Sequence, residues 1–171
     1  MESATTPLPL RAPPILRFTA ADSERANREW KATCGPHALA AACGVTLDEV
    51  RKALYDYRGW MNPTRMGEAL LSLGVSPTLR RIWMKTHEPC NGISRVQFEG
   101  EWLDPGVPPA VAYHHTHWVA HFDGWVLCTA CRAAEWITLA DWKHHLLEVE
   151  PVSPFFITHH FEMPAPAILG T

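Results

Sequence analysis

The stretch "HTHWVAHFDGWVLCT", residues 115–129, decides the fold class because it predicts a β-hairpin. Asp123-Gly124 is flanked on both sides by β-branched and aromatic residues, and this dipeptide is the strongest short-range signal for a two-residue hairpin turn. With that turn, Phe122 pairs with Trp125, and successive side chains alternate between the two faces of the sheet. The stretch therefore predicts antiparallel strands in the second half of the chain.

The same register brings a histidine and a cysteine together across the hairpin. Val119 lies opposite Cys128, and His117 is on the same face, so that the imidazole and the thiol are diagonal neighbours. Trp118 and Ala120 face the other way. A slip of one residue would exchange the two faces. We therefore predict that His117 and Cys128 meet on one face of the sheet.

The half of the chain before the hairpin predicts helices. Thr46 and Glu49 form a capping box, Gly44 is placed to end the preceding helix, and Thr64 and Gly74 are the predicted N-cap and stop of the next one. The predicted helices cover residues 21–30, 35–43, 46–57, 62–74 and, after the hairpin, 139–149.

The strands follow the helices, and this order predicts an α+β fold, with N-terminal helices packed on a C-terminal antiparallel β-sheet. Segments rich in β-branched and aromatic residues mark the strands. The predicted strands lie within residues 78–85, 93–102, 109–122, 124–130 and 154–163.

Length and composition predict a single domain. The chain has 171 residues, 47% of them hydrophobic and 19% charged, as in an ordinary globular protein. Both ends are rich in proline. We predict a Pro-rich N-terminal arm over residues 1–20, either mobile or laid across the surface, a single α+β domain over 21–163, and a C-terminal tail over 164–171.

Charge and hydropathy exclude two classes of partner. The net charge is -3 and no basic run is interleaved with aromatic residues, so we predict no nucleic-acid partner. No apolar run approaches the roughly 20 residues that a membrane span needs, so we predict no membrane partner. The start lacks the features of a signal peptide and the five cysteines are odd in number, which predicts free thiols and a cytoplasmic location.

Cys34 stands where a helix is predicted to begin, in "WKATCGPHALAAACG", residues 30–44. The unpaired N–H groups and the positive end of the helix dipole favour a negative charge there, and so a thiolate. Cys43 lies inside the same helix, as a buried structural cysteine does. Cys34 is therefore the candidate reactive thiol, the alternative being a buried thiol at the start of a helix.

"TCGPHALAAACGVTLDEV" followed by "HTHWVAHFDGWVLCT" resembles the papain-like cysteine peptidases, in which a cysteine at a helix start precedes a histidine on an antiparallel sheet. The chain looks most like the branch that contains the bacteriocin-processing peptidases, and like uncharacterised proteins of phages and prophages. The resemblance covers residues 27–161 and implies a papain-like fold. It also allows a phage virion as an alternative location.

The resemblance implies a thiol hydrolase, a peptidase or amidase that needs no cofactor and acts on a peptide or protein substrate. Cys34 would be the nucleophile and His117 its base. The backbone N–H of Cys34 and the amide of Asn27 would hold the oxyanion. Cys128 occupies the position that orients the histidine.

Two departures from the family pattern favour an alternative function. Asn27 and Arg28 stand where the family has a glutamine, and Cys128 stands where it has Asp or Asn, although a thiol is a poor hydrogen-bond acceptor. The site then resembles a Cys-His dyad with a degenerate third residue. The alternative is a catalytically inactive pseudopeptidase, a phage-derived binding or virion structural protein that assembles with other proteins through its Pro-rich arm.

The "CTAC" segment carries two further alternatives. Cys-x2-Cys near a histidine is a set that zinc accepts, so Cys34, His117, Cys128 and Cys131 are candidate zinc ligands. An oxidising environment would allow a disulfide between Cys34 and Cys128. A second Cys-x2-Cys is missing, and we predict no cofactor.

Overall fold

The second half of the chain forms an antiparallel sheet on which the helices of the first half pack. A computed structural model describes residues 10–84, 90–146 and 154–164. Within them six strands form one sheet in the order β1-β6-β2-β3-β4-β5, with every neighbouring pair antiparallel. The predicted α+β class, with helices first and strands after, is confirmed. The strands are β1 (Thr78–Met84), β2 (Gly92–Phe98), β3 (Thr116–Phe122), β4 (Trp125–Leu127), β5 (Trp136–Thr138) and β6 (Phe155–Glu162).

Side-chain caps or glycine mark several of the helix ends. The capping box of Thr46 and Glu49 is present, and Gly44 ends the preceding helix with φ 63°. A second capping box, from Thr19 and Asp22, opens the first helix. The helices are α1 (Ala20–Trp30), α2 (Cys34–Cys43), α3 (Leu47–Ala53), α4 (Pro63–Ser72), α5 (Pro109–Tyr113) and α6 (Leu139–His144).

The predicted N-cap of α4 is wrong by two residues. Asn62, not Thr64, caps the helix: its Oδ1 accepts from the Arg65 N–H at 2.8 Å. Pro63 follows at the first helical position, where its missing N–H costs nothing.

We expect Asn62→Ala to lower the free energy of unfolding by about 1 kcal/mol, because the N–H of Arg65 loses its acceptor. Thr64 is exposed in the first turn and serves as the matched control, so that Thr64→Ala changes stability by less than about 0.5 kcal/mol. Urea unfolding of both variants measures the difference. A larger loss in the Thr64 variant would contradict this capping assignment.

The strand predicted over 109–122 begins too early. Pro108 and Pro109 open the short helix α5, and the strand starts only at Thr116. Two short elements were missed: strand β5, and a 3-10 turn over Glu101–Leu103.

The predicted hairpin register is confirmed. Phe122 pairs with Trp125 and Ala120 with Leu127, across a turn in which Asp123 and Gly124 have φ 42° and 84°. Positive φ at both turn positions is the geometry that favours Asp-Gly.

The sheet separates two clusters of buried side chains. The larger lies against helices α1 to α4 and includes Leu39, Leu70 and Trp118. The smaller includes Val119, Cys128 and the Trp142 of α6. Trp118 and Val119 therefore face opposite sides of the sheet, as the register predicted.

The described part of the Pro-rich arm lies against the hairpin and β5. The indole N–H groups of Trp125 and Trp136 donate to the carbonyls of Arg11 and Pro14 at 2.7 and 2.9 Å. Of the two alternatives for the arm, these contacts favour a segment laid across the surface. Residues 1–9 of the arm and 165–171 of the predicted tail lie outside the described residues. In the part of the chain that is described, no helix has the length and apolar character that crossing a membrane requires.

Candidate active site

Helix α2 packs on β3, and this contact brings its first residue, Cys34, to the start of the strand. The N-cap residue, Thr33, makes no side-chain hydrogen bond to the helix. Gly35 allows the chain to pack closely here, because a Cβ at that position would lie 2.8 Å from the sulfur of Met61.

The short length of β4 opens a place for the Cys34 sulfur. Phe98 N–H donates to the carbonyl of His115, and alternation along an antiparallel ladder then directs the N–H of Trp118 away from β2. On that side the ladder with β4 ends at Ala120 and Leu127. The N–H of Trp118 is left to donate to the sulfur of Cys34.

His117 interacts with two cysteines. Its Nε2 lies 3.3 Å from Cys128 Sγ, which confirms the contact predicted across the hairpin. Its side chain also forms a hydrogen bond with the thiol of Cys34. The structure thus brings together three residues that were singled out in the sequence, from a helix, a strand and the segment after the hairpin.

The pKa of Cys34 is below its ordinary value. Burial raises it, but the charge and hydrogen bond of His117 together with the backbone N–H groups of Trp118 and Gly35 lower it by more. Cys43, at the other end of the same helix, has no such partners, and burial raises the pKa of its thiol to about 12.

The pKa of Cys128 falls to about 4, and the largest cause is a hydrogen bond from the thiol of Cys131. Burial opposes this shift, while the hydrogen bond and charge of His117 add to it. The sequence predicted a degenerate third residue at Cys128, because a neutral thiol is a poor hydrogen-bond acceptor. A thiolate carries a full negative charge and accepts from an imidazolium as a carboxylate does.

The pKa of His117 rises to about 10. Burial lowers it, but the charge of Cys34 and the hydrogen bonding of the protonated ring to both sulfurs raise it by more. At neutral pH the ring is therefore an imidazolium between two sulfurs.

Asn27 lies on the wall of the same cleft as Cys34 and His117. Its Nδ2 donates to the carbonyl of Ala32 at 3.1 Å, which uses one of the two N–H bonds of the amide. The other N–H bond has no acceptor among the described hydrogen bonds.

His37 is a site residue for which the sequence predicted no role. It is one turn beyond Cys34 and lines the same cleft, and its Nδ1 lies 2.7 Å from the carbonyl of Thr33. Burial lowers its pKa, so the ring is neutral. Its Nε2 is buried with no hydrogen-bond partner among the described residues. A histidine four residues after the N-cap was the signal that could have indicated it.

Cys34 borders two clefts. One, of about 440 Å³, has mixed walls that include Asn27 and His117. The other, of about 630 Å³, is lined by the aromatic side chains of Trp60, Tyr113 and Trp118. A peptide bound across Cys34 would have one part in the mixed cleft and the other part in the aromatic cleft.

The two alternatives for the cysteines find no support in this arrangement. Within residues 10–84, 90–146 and 154–164, no group of three or more His, Cys, Asp or Glu side chains is arranged to hold a metal ion. The predicted zinc ligands Cys34, His117, Cys128 and Cys131 therefore do not form such a group in the described residues. The five cysteines are free thiols, so the pair of Cys34 and Cys128 is not bonded.

Comparison of the chain with protein-family models, with curated proteins and with solved structures gives no match.

Proposed function

We propose that the protein is a thiol hydrolase that cleaves amide or peptide bonds, with a papain-like arrangement of nucleophile and base. The observation that carries the proposal is His117, whose Nε2 lies 3.3 Å from Cys128 Sγ and whose charge and hydrogen bonding lower the pKa of the Cys34 thiol. Cysteine proteases need a thiolate beside an imidazole whose orientation a third group fixes. Cys128 supplies that third group as a thiolate.

In the proposed reaction the Cys34 thiolate attacks the carbonyl carbon, and the new C–S bond leaves the negative charge on the oxygen. The backbone N–H of Cys34 and the remaining N–H of Asn27 are the proposed donors to this oxyanion. His117 then transfers its proton to the leaving nitrogen as the C–N bond breaks. Water, deprotonated by the same ring, hydrolyses the thioester and releases the acid and the thiol.

The charges of the site support this proposal, because the positive ring of His117 lies between two sulfurs that can be negative. The sulfurs of Cys34 and Cys128 flank one imidazolium, as a thiolate and a carboxylate do in a Cys-His-Asp triad, and the positive charge between them lowers the pKa of both thiols. The two clefts beside Cys34 give room for a peptide or protein substrate on both sides of the bond.

The first test compares the reactivity of thiols on one helix. Iodoacetamide at pH 7 is expected to alkylate Cys34 at least about tenfold faster than Cys43, because the thiolate is the reacting species and the pKa of Cys43 lies far above 7. Peptide mapping by mass spectrometry after timed quenching measures both rates. Cys90, which is exposed, reports the rate of an accessible thiol without this activation.

The second test uses a peptide library digested with the wild-type chain and with Cys34→Ser. Cleavage by the wild type that the variant lacks supports a hydrolase. Selective alkylation of Cys34 without any cleavage favours the alternative, a pseudopeptidase that binds its partner and does not turn it over. Equal and slow labelling of Cys34 and Cys43 would contradict both the activated thiol and the proposed reaction.

A further inference from the structure

The segment that follows the hairpin holds a second pair of sulfur atoms. The N–H of Cys131 donates to the carbonyl of Cys128 at 3.0 Å, which closes a turn with these residues at its first and fourth positions. Such a turn keeps the two Cα atoms within about 7 Å, and disulfides span Cα distances of about 4.4 to 6.8 Å. The backbone is therefore already shaped for a bond between the two sulfurs.

The side chains meet as well. Hydrogen bonding by the thiol of Cys131 is the largest cause that lowers the pKa of Cys128, so the two side chains interact. Cys128 is fully buried, whereas Cys131 is half exposed. One member of the pair is accessible from solvent and the other is protected behind it.

We propose that Cys128 and Cys131 form a thiol–disulfide redox site that exchanges with low-molecular-weight disulfides. A buried reactive sulfur with a more accessible partner three residues away satisfies what Cys-x2-Cys redox sites require: a thiolate and a second thiol that closes on it. The other thiols do not form such a pair, since Cys43 and Cys90 hydrogen-bond to no other cysteine in the described contacts.

Burial decides the order of the exchange. Cys131 loses its proton and attacks one sulfur of an external disulfide RSSR, which forms Cys131–S–S–R and releases RS⁻. The Cys128 thiolate then attacks the Cys131 sulfur, forms the internal disulfide and displaces the second RS⁻. Two protein sulfurs are oxidised by two electrons in total, and one RSSR is reduced to two RS⁻ with one proton released.

The exchange changes the site beside it. Oxidation removes the negative charge that Cys128 presents to His117 Nε2 at 3.3 Å, since a disulfide sulfur is neutral and a weak acceptor. His117 then has less reason to stay protonated, and the thiolate of Cys34 loses part of its counter-charge. This second effect rests on the proposed function, whereas formation of the disulfide does not.

The test treats the full chain with reduced and oxidised glutathione in varying ratios, blocks free thiols with N-ethylmaleimide at low pH, and maps the cysteines by mass spectrometry. We expect the wild type to fall from five free thiols to three, with a linked peptide that contains Cys128 and Cys131. Cys131→Ser is expected to form no internal disulfide, and Cys90→Ser, the matched control, to form the same disulfide and fall from four free thiols to two.

A persistent mixed disulfide on Cys131, a bond between Cys34 and Cys128, or five free thiols at every ratio would overturn the redox site. Cys34 alkylation then measures the coupling separately. We expect about a tenfold slower rate in the oxidised wild type and no change in Cys131→Ser under the same oxidant. An unchanged rate in a chain that carries the disulfide would overturn the coupling and leave the redox site standing.

Discussion

Replacing His117 by alanine is expected to reduce the cleavage of any substrate by about 10² to 10⁴-fold, the range that a general acid–base contributes. The same variant is expected to slow alkylation of Cys34 at pH 7 by about tenfold, because without the imidazolium only burial and two backbone N–H groups act on the thiol, and burial raises its pKa. Alkylation quenched at timed intervals measures the reactivity of Cys34, and a peptide-cleavage assay on the same preparation measures activity.

His115→Ala is the matched control for this variant. His115 is two residues before His117, and its ring stacks on Trp102 with the centroids 3.5 Å apart. It should leave the reactivity of Cys34 within about twofold of the wild type, because its ring does not contribute to the pKa of that thiol. If alkylation of Cys34 stays fast in His117→Ala, the helix terminus alone activates the sulfur and the proposed pair has no catalytic role.

Changing Cys128 to serine is expected to alter how stability depends on pH. The pKa of Cys128 is about 4 in the folded chain and near its ordinary 9.0 in the unfolded one, so its contribution to stability is present above about pH 9 and is lost as the pH falls through about 4. Between these limits the unfolded state binds one more proton than the folded state. The wild type therefore loses up to about 1.4 kcal/mol per pH unit of acidification relative to Cys128→Ser.

Urea unfolding of both proteins at intervals from pH 4 to 9 measures this difference. Serine keeps the size of the side chain and does not ionise in this range, so the comparison reports the Cys128 thiolate together with the change that its loss makes to the pKa of His117. Cys43→Ser, with its high thiol pKa in the same fold, should give a difference that is flat up to about pH 8. A flat difference for Cys128→Ser would mean that this residue is a neutral thiol and cannot orient His117.

Local signals in the sequence were sufficient for the hairpin and for one cap. Asp123-Gly124 fixed the register because its two residues accept positive φ, and the register in turn predicted the contact of His117 with Cys128. Thr46 and Glu49 satisfy each other's backbone within one helical turn. Such features depend on residues close in the chain, and sequence patterns describe them well.

The features that were missed depend on side-chain contacts and turns that propensity and alternation do not describe. The low pKa of Cys128 requires hydrogen bonding by Cys131 and a neighbouring imidazolium, and the Cys-x2-Cys spacing alone does not show that these side chains meet. Asn27 is bound to Ala32 because Lys31 takes a left-handed φ of 58° and turns the chain back. Helix α5 carries valine and alanine that also suit a strand, and only its proline start argued for a helix.

The reactivity of Cys34 depends on the short length of β4, which leaves the N–H of Trp118 without a partner strand. Two additional paired residues would extend the ladder past Leu127 and engage the N–H of Trp118 that now points at Cys34. Those two residues are Cys128 and Thr129, so such an extension would remove one activating contact of the Cys34 thiol while Cys34 and His117 themselves stayed unchanged. Variants of this domain that differ only there are expected to separate into reactive and inert proteins.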